Sequence, residues 1–196
     1  MIHLIHGIYT EPTSPVKGLI PYLTAAGWKV RYPEYGYETA LETKIINQML
    51  TGTIAAYVQP DDILIGHSNG CALAYSIMQT GIKVAGAVFI NGALENNFVR
   101  PPGCPWIDVY FNQGDEVTRA AALAERLGIV SPVWGELGHS GYIGKDAMVA
   151  SIDCYRTAGE PVVDGHSDFF TPSKLQAWAP YMDTRIANRL KAKVMT

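Results

Sequence analysis

Residues 63–70 read Ile63-Leu64-Ile65-Gly66-His67-Ser68-Asn69-Gly70. The first three are wholly apolar, as in a strand buried on both faces of a parallel sheet. From Cys71 to Gln79 the pattern turns helical. Between them lies a G-x-S-x-G. In a strand-to-helix turn of this kind the serine takes a strained backbone conformation, and the flanking glycines remove side chains that would collide with the neighbouring strand and helix. The hydroxyl is pushed into the open, and the helix N-terminus turns its amides toward negative charge developing beside it. A glycine-rich turn with a helix-capping serine would spell the same letters. The strand before it and the helix after it favour a nucleophile at Ser68.

Outward from this turn, short apolar runs alternate with longer amphipathic stretches, the pattern of an α/β sheet. Upstream, His3-Leu4-Ile5 starts a strand. Pro15 to Ala26 reads as a helix with Ser14 as N-cap and Gly27 as its stop. Trp28 to Tyr32 alternates as a strand, and Glu38 to Tyr57 keeps Leu41, Ile45, Ile46, Met49 and Leu50 at helical spacing. Downstream, Val84 to Ile90 and Trp106 to Phe111 read as buried strands, separated by a Pro-rich stretch from Asn91 to Pro105 that is expected beside a substrate. Thr118 to Leu127 and a final stretch from about Lys174 read as helices. The segment from Glu136 to Val163 fits a cap, an edge hairpin or a partner surface.

Composition bounds the function. The 196 residues are 48% hydrophobic, which suits a single domain spanning 1–196 with a sizeable core. Only 17% are charged and the net charge is -3, so no basic field exists to hold a phosphate backbone, and nucleic acid is excluded as a partner. No apolar run approaches the roughly 20 residues of a membrane span, and Met1 to Ile5 is far too short for a signal segment, which predicts a cytoplasmic protein. Three cysteines at wide spacing, with no CxxC pair, argue against a disulfide framework and a zinc site and leave a single Cys104 to Cys154 bridge open. The loop after the first strand carries neither a GxGxxG nor a GxxxxGK[ST] pattern. No cofactor and no metal are expected. The oligomeric state stays open.

That first loop instead reads His6-Gly7-Ile8. Together with the G-x-S-x-G it makes the chain resemble the α/β-hydrolase superfamily, in particular its small lid-poor lipases and esterases, which carry an HG dipeptide after the central strand. The resemblance implies a minimal α/β-hydrolase fold, a mostly parallel sheet of about six strands with helices on both faces. Two antiparallel strands that open the family's sheet are missing, which implies a trimmed core. It also implies Ile8 and Asn69 as backbone donors of an oxyanion hole, with the His6 ring packed beneath the site.

The same resemblance places the acid in Gly114-Asp115-Glu116-Val117, which follows the Trp106 strand. Asp115 fits the family's G-x-x-D-x-V loop, Glu116 is the nearest alternative, and a plain helix-capping aspartate is the bland one. Two His-Ser dipeptides compete for the base, His139-Ser140 and His166-Ser167. His166 is preferred because the family's histidine loop precedes the last helix. Trp134 to Asp146 loosely resembles a stretch of small phage-type α/β-hydrolases that also precedes the histidine loop. Tyr9, Tyr142 and Phe169 flank these loops and are the candidate pocket walls. The implied activity is hydrolysis of a small-molecule carboxylic ester through an acyl-enzyme on Ser68. An acyltransferase or thioesterase would use the same residues, and a non-catalytic binding protein would keep the sheet while losing one of them.

Overall fold

The computed structural model describes residues 1–8, 14–36, 43–126 and 134–194. Six strands form one sheet: β1 (Ile2–Ile5), β2 (Val30–Arg31), β3 (Ile63–His67), β4 (Gly86–Ile90), β5 (Ile107–Phe111) and β6 (Val149–Asp153). Their spatial order is β2-β1-β3-β4-β5-β6, and every neighbouring pair is parallel. The helices are α1 (Ile20–Ala25), α2 (Thr43–Ala55), α3 (Asn69–Gln79), α4 (Glu116–Arg126), α5 (Leu137–Ser140) and α6 (Pro172–Val194).

Strand residues alternate between two cores because successive side chains point to opposite faces. Ile63, Ile65, Val88 and Ile90 pack with Leu23 of α1 and Trp178 and Met182 of α6. Leu64, Ala87 and Phe89 pack on the other face with Ile54 of α2 and Leu73 and Ile77 of α3. The small residue at Gly86 has a packing reason: a β-carbon there would lie 2.1 Å from the Trp106 ring. The sheet order departs in opposite directions from β1, to β2 on one side and β3 on the other. Such a reversal opens a crevice at the C-terminal strand ends, where ligands of open α/β sheets bind. Ser68 follows β3 and Gly7 follows β1, so both loops border that crevice.

Several elements differ from the sequence expectation. Pro15–Leu19 is a tight 3-10 turn, and Ser14 makes no side-chain cap to it. Pro21 cannot donate a helical hydrogen bond to Lys17, so the α-helix starts only at Ile20. The Trp28 to Tyr32 strand shrinks to Val30–Arg31 at the sheet edge. Within Glu136 to Val163 the chain forms α5 and then β6, a sixth parallel strand pairing with β5. Residues 38–42 and 127 of the expected helices lie outside the described residues. Cys71, Cys104 and Cys154 are all buried and free, so Cys104 and Cys154 do not pair. Among the described residues, no helix is long and apolar enough to cross a membrane.

The last helix is locked to the sheet by charge. Asp108 of β5 is 1% exposed and accepts from Arg185 Nε at 2.8 Å and Arg189 Nη2 at 2.8 Å. Removing the carboxylate would strand two guanidinium groups at a largely desolvated contact. Asp108→Ala is expected to destabilise the fold by about 3 kcal/mol in urea unfolding, and a loss below about 0.5 kcal/mol would show the triad to be dispensable.

Candidate active site

Ser68 is one of two non-glycine residues described at positive φ, with φ 56° and ψ -128°. A β-branched or bulky residue would be strained there. The surrounding backbone holds the turn: Ser68 N–H donates to Ile90 O at 3.2 Å, and Ser68 O accepts from Cys71 and Ala93 N–H, each at 3.0 Å. The glycines make room. A β-carbon on Gly66 would lie 2.8 Å from the Cys71 backbone, one on Gly70 2.1 Å from Ile5 O, and one on Gly7 2.7 Å from Ser68 Cβ. Although Ser68 stands at the N-cap of α3, its side chain makes no capping hydrogen bond.

Asp115 lies at the start of α4 with its side chain fully buried. Its Oδ1 accepts from Thr118 N–H at 3.1 Å, which caps the helix. The same carboxylate meets His166 Nδ1 at 2.9 Å and 3.0 Å through its two oxygens. Helix cap and histidine partner are therefore one group. With Nδ1–H donating to the carboxylate, the neutral ring presents Nε2 as an acceptor. Glu116 instead points outward to Arg119 at 3.2 Å.

His139 is not brought to Asp115; its Nδ1 is buried without a hydrogen-bond partner. Gly138 beside it is what approaches the acid, since a β-carbon there would lie 2.5 Å from Asp115 Oδ2. The glycine that gives this segment the look of a histidine loop serves close packing.

The His166 loop is held by residues that sequence reasoning missed. Asn91, at φ 46° after β4, donates from Nδ2 to His166 O at 2.7 Å and Gly165 O at 3.2 Å. Asn112, after β5, donates to Gly165 O at 3.2 Å and to Asn91 Oδ1 at 3.1 Å, and accepts from Gly165 N–H at 2.9 Å. Their one sequence signal is an asparagine directly after each of two buried strands. His67 adds a third grip, with Nε2 donating to His166 O at 3.2 Å and its ring set edge-on to Phe170.

On the other side of Ser68, the His6 ring is stacked between Tyr32 and Tyr35, with centroids at 5.4 and 3.8 Å, and Tyr35 Oη donates to His6 O at 2.9 Å. These contacts fix the loop that carries Gly7 and Ile8. Asn69 is the first residue of α3, where a helix leaves its amide without an internal acceptor.

Ser68, His166, Ile8 and Asn69 all border one cavity of about 380 Å³. Its remaining walls are Ala93, Trp134 and one face of α4. Of the three expected wall residues, Phe169 is fully buried against Tyr110 and Trp178 and belongs to the core. Tyr142 packs on Phe98 at 4.9 Å and does not border the cavity, and Tyr9 lies outside the described residues. Among the described residues no group of three or more His, Cys, Asp or Glu side chains is placed to hold a metal ion.

Solved structures share this fold. TT1662 from Thermus thermophilus is 13% identical with a TM-score of 0.57, over 96% of this chain and 88% of that one. A pyrethroid hydrolase from Sphingobium faniae JZ-2 is 14% identical with a TM-score of 0.54, over 100% and 98%. This is the α/β-hydrolase fold. The type II thioesterase BorB from the borrelidin biosynthetic cluster has the same fold, at 14% identity and a TM-score of 0.51 over 96% and 91%. No family model and no curated protein matches the sequence. The six parallel strands fit a minimal α/β-hydrolase fold, with the Ser68 turn after β3 and Asp115 after β5.

Burial, reinforced by the neighbouring His166 ring, pushes the His67 pKa down to about 3 from its ordinary 6.5. The folded protein keeps this ring neutral while the unfolded chain takes up a proton below pH 6.5. The stability associated with it is therefore complete above pH 6.5 and is lost as pH falls toward 3, by about 1.4 kcal/mol per pH unit. His67→Gln keeps a donor for His166 O without the titration. Its stability, measured by urea unfolding from pH 7 to 4, is expected to fall less steeply than wild type by about one proton's worth. Parallel slopes would show that His67 does not stay neutral.

A second expectation concerns the asparagine grip. Asn112→Ala removes the acceptor of Gly165 N–H, and exchange of that amide is expected to accelerate at least about tenfold by NMR. Unchanged protection would assign the loop's rigidity elsewhere.

Proposed function

We propose that the chain is a serine hydrolase that cleaves a carboxylic ester through an acyl-enzyme on Ser68. The observation that carries this reading is the pairing of His166 Nδ1 with the buried Asp115 carboxylate at 2.9 Å, on the rim of the cavity that Ser68 also borders. The positive-φ turn at Ser68 and the α/β-hydrolase fold support it further.

In this reading His166 Nε2 takes the Ser68 hydroxyl proton as Oγ attacks the ester carbonyl carbon. The Ile8 and Asn69 amides hold the oxyanion that forms. The imidazolium, stabilised by Asp115, gives its proton to the departing alkoxide, which leaves as the alcohol. Water enters, loses a proton to His166 as it attacks the acyl carbon, and Ser68 leaves with that proton restored. The carboxylic acid departs, and neutral His166 and the Ser68 hydroxyl are regenerated with water as the one co-reactant.

The test is a fluorophosphonate probe with intact mass as the readout. One adduct is expected on the wild type and none on Ser68→Ala. With an activated ester, His166→Ala and Asp115→Asn are each expected to lower kcat by about 10³ to 10⁴-fold, whereas His139→Ala stays within about tenfold. A folded wild type that takes no adduct would overturn the hydrolase reading. Loss in His139→Ala equal to that in His166→Ala would overturn the assignment of the base.

A further inference from the structure

The cavity beside Ser68 has walls whose polar groups are already engaged. Thr118 Oγ1 donates to Asp115 O at 3.3 Å. The Trp134 indole N–H donates to Asn69 Oδ1 at 3.1 Å, and the Asn69 amide is itself paired with Asn47 at 3.1 and 3.2 Å. What these residues turn to the cavity is therefore hydrocarbon and indole face. Ala93, Val117, Ala120 and Ala121 add only carbon, and among the described lining residues none is Asp, Glu, Lys or Arg. Among the described lining residues, hydrogen bonding is on offer at the end formed by Ser68, His166 and the Ile8 and Asn69 amides.

We propose that this cavity binds the uncharged, apolar limb of a small ester, with Ala120 and Ala121 of α4 forming the wall against it. The proposal rests on Ser68 being the nucleophile. An apolar cavity of about 150 Å³ takes a benzene ring, so 380 Å³ holds the reacting carboxyl together with a ring or a short alkyl chain. A charged limb would be desolvated here with no charged partner among the described lining residues, at high cost. Val117 extends the same surface outward: it is 55% exposed at the cavity wall, an apolar side chain that substrate would cover. A limb with this chemistry is either the acyl group or the alcohol, and the two sources are separable by experiment.

One series of p-nitrophenyl esters varies the acyl group through acetate, hexanoate, phenylacetate and the hemiester of succinate. A second series of acetates varies the alcohol from methyl to benzyl. In the wild type, kcat/KM is expected to rise at least about tenfold from the smallest to the cavity-filling limb in one series. The succinate hemiester should fall at least about tenfold below hexanoate. Ala121 is half-buried and Ala120 exposed, so larger side chains there enter the cavity without disturbing the core. Ala121→Trp and, separately, Ala120→Leu are expected to cut the large-to-small ratio at least about tenfold in that same series. The series that responds identifies the limb.

A binding readout keeps this distinct from the reaction itself. In Ser68→Ala, ethyl phenylacetate is expected to shift the Trp134 indole N–H resonance saturably, with that resonance assigned by its loss in Trp134→Phe. If the wild type takes the fluorophosphonate at Ser68 but neither ratio responds to either variant and the indole does not shift, the cavity assignment is overturned and the hydrolase reading stands. If the indole shifts but no adduct forms, the cavity takes apolar ligands without turnover, and the hydrolase reading falls together with the assignment of a substrate limb.

Discussion

At Gly70 the first turn of α3 lies so close to the end of β1 that a β-carbon would sit 2.1 Å from the Ile5 carbonyl oxygen. The Ser68 side of the site is placed by that approach. It brings the Gly7 loop to within contact of Ser68, where a second β-carbon would again collide, at 2.7 Å from Ser68 Cβ. Two strands of a twisted sheet diverge at their ends, and only backbone without side chains can close the gap. The positive φ of Ser68 is sustained because three backbone hydrogen bonds pin the turn to Ile90, Cys71 and Ala93. Strain at this residue is thus over-determined by its neighbours, the condition under which such strain persists.

The partner side of the site is organised differently. Here a set of side-chain amides holds His166. Asn91 and Asn112 leave the ends of two adjacent strands and hold the Gly165–His166 backbone by four hydrogen bonds, while His67 supplies a fifth from beneath. Buried polar networks of this kind favour one arrangement when every member is satisfied. The ring they orient is then free to make its contact with Asp115, and the rigid sheet carries the geometry of a loop that has little core of its own.

Much of this was legible in the sequence because it rests on strong local signals. The apolar Ile63-Leu64-Ile65 run followed by G-x-S-x-G pointed to β3, to the strained turn at Ser68 and to the parallel sheet, and Asp115, expected from the family resemblance after the next-but-one strand, lies against His166. The missing pieces had weaker signatures. β6 reads Val149-Ala150-Ser151-Ile152-Asp153, with only Val149 and Ile152 buried, one in each core, and a short edge strand whose buried residues do not alternate carries little hydrophobic signal. Asn91 and Asn112 are ordinary asparagines until the His166 loop folds over them. Phe169 was misjudged because proximity to His166 in sequence says nothing of direction: its ring turns inward to Trp178. The His139-Ser140 pair was a genuine ambiguity, since Gly138 is required for contact with the same carboxylate.

Asp115 begins α4 and also meets His166, while the face of that helix one turn further on forms the cavity wall. Acid and wall are one rigid piece. A shift of α4 that enlarged the cavity would carry the carboxylate away from the imidazole. Side-chain exchange at Ala120 or Ala121 alters the cavity and leaves the Asp115–His166 contact in place, whereas sliding the helix disturbs both at once. The shape of the cavity is thus free to change by side chains and held fast against movement of the backbone.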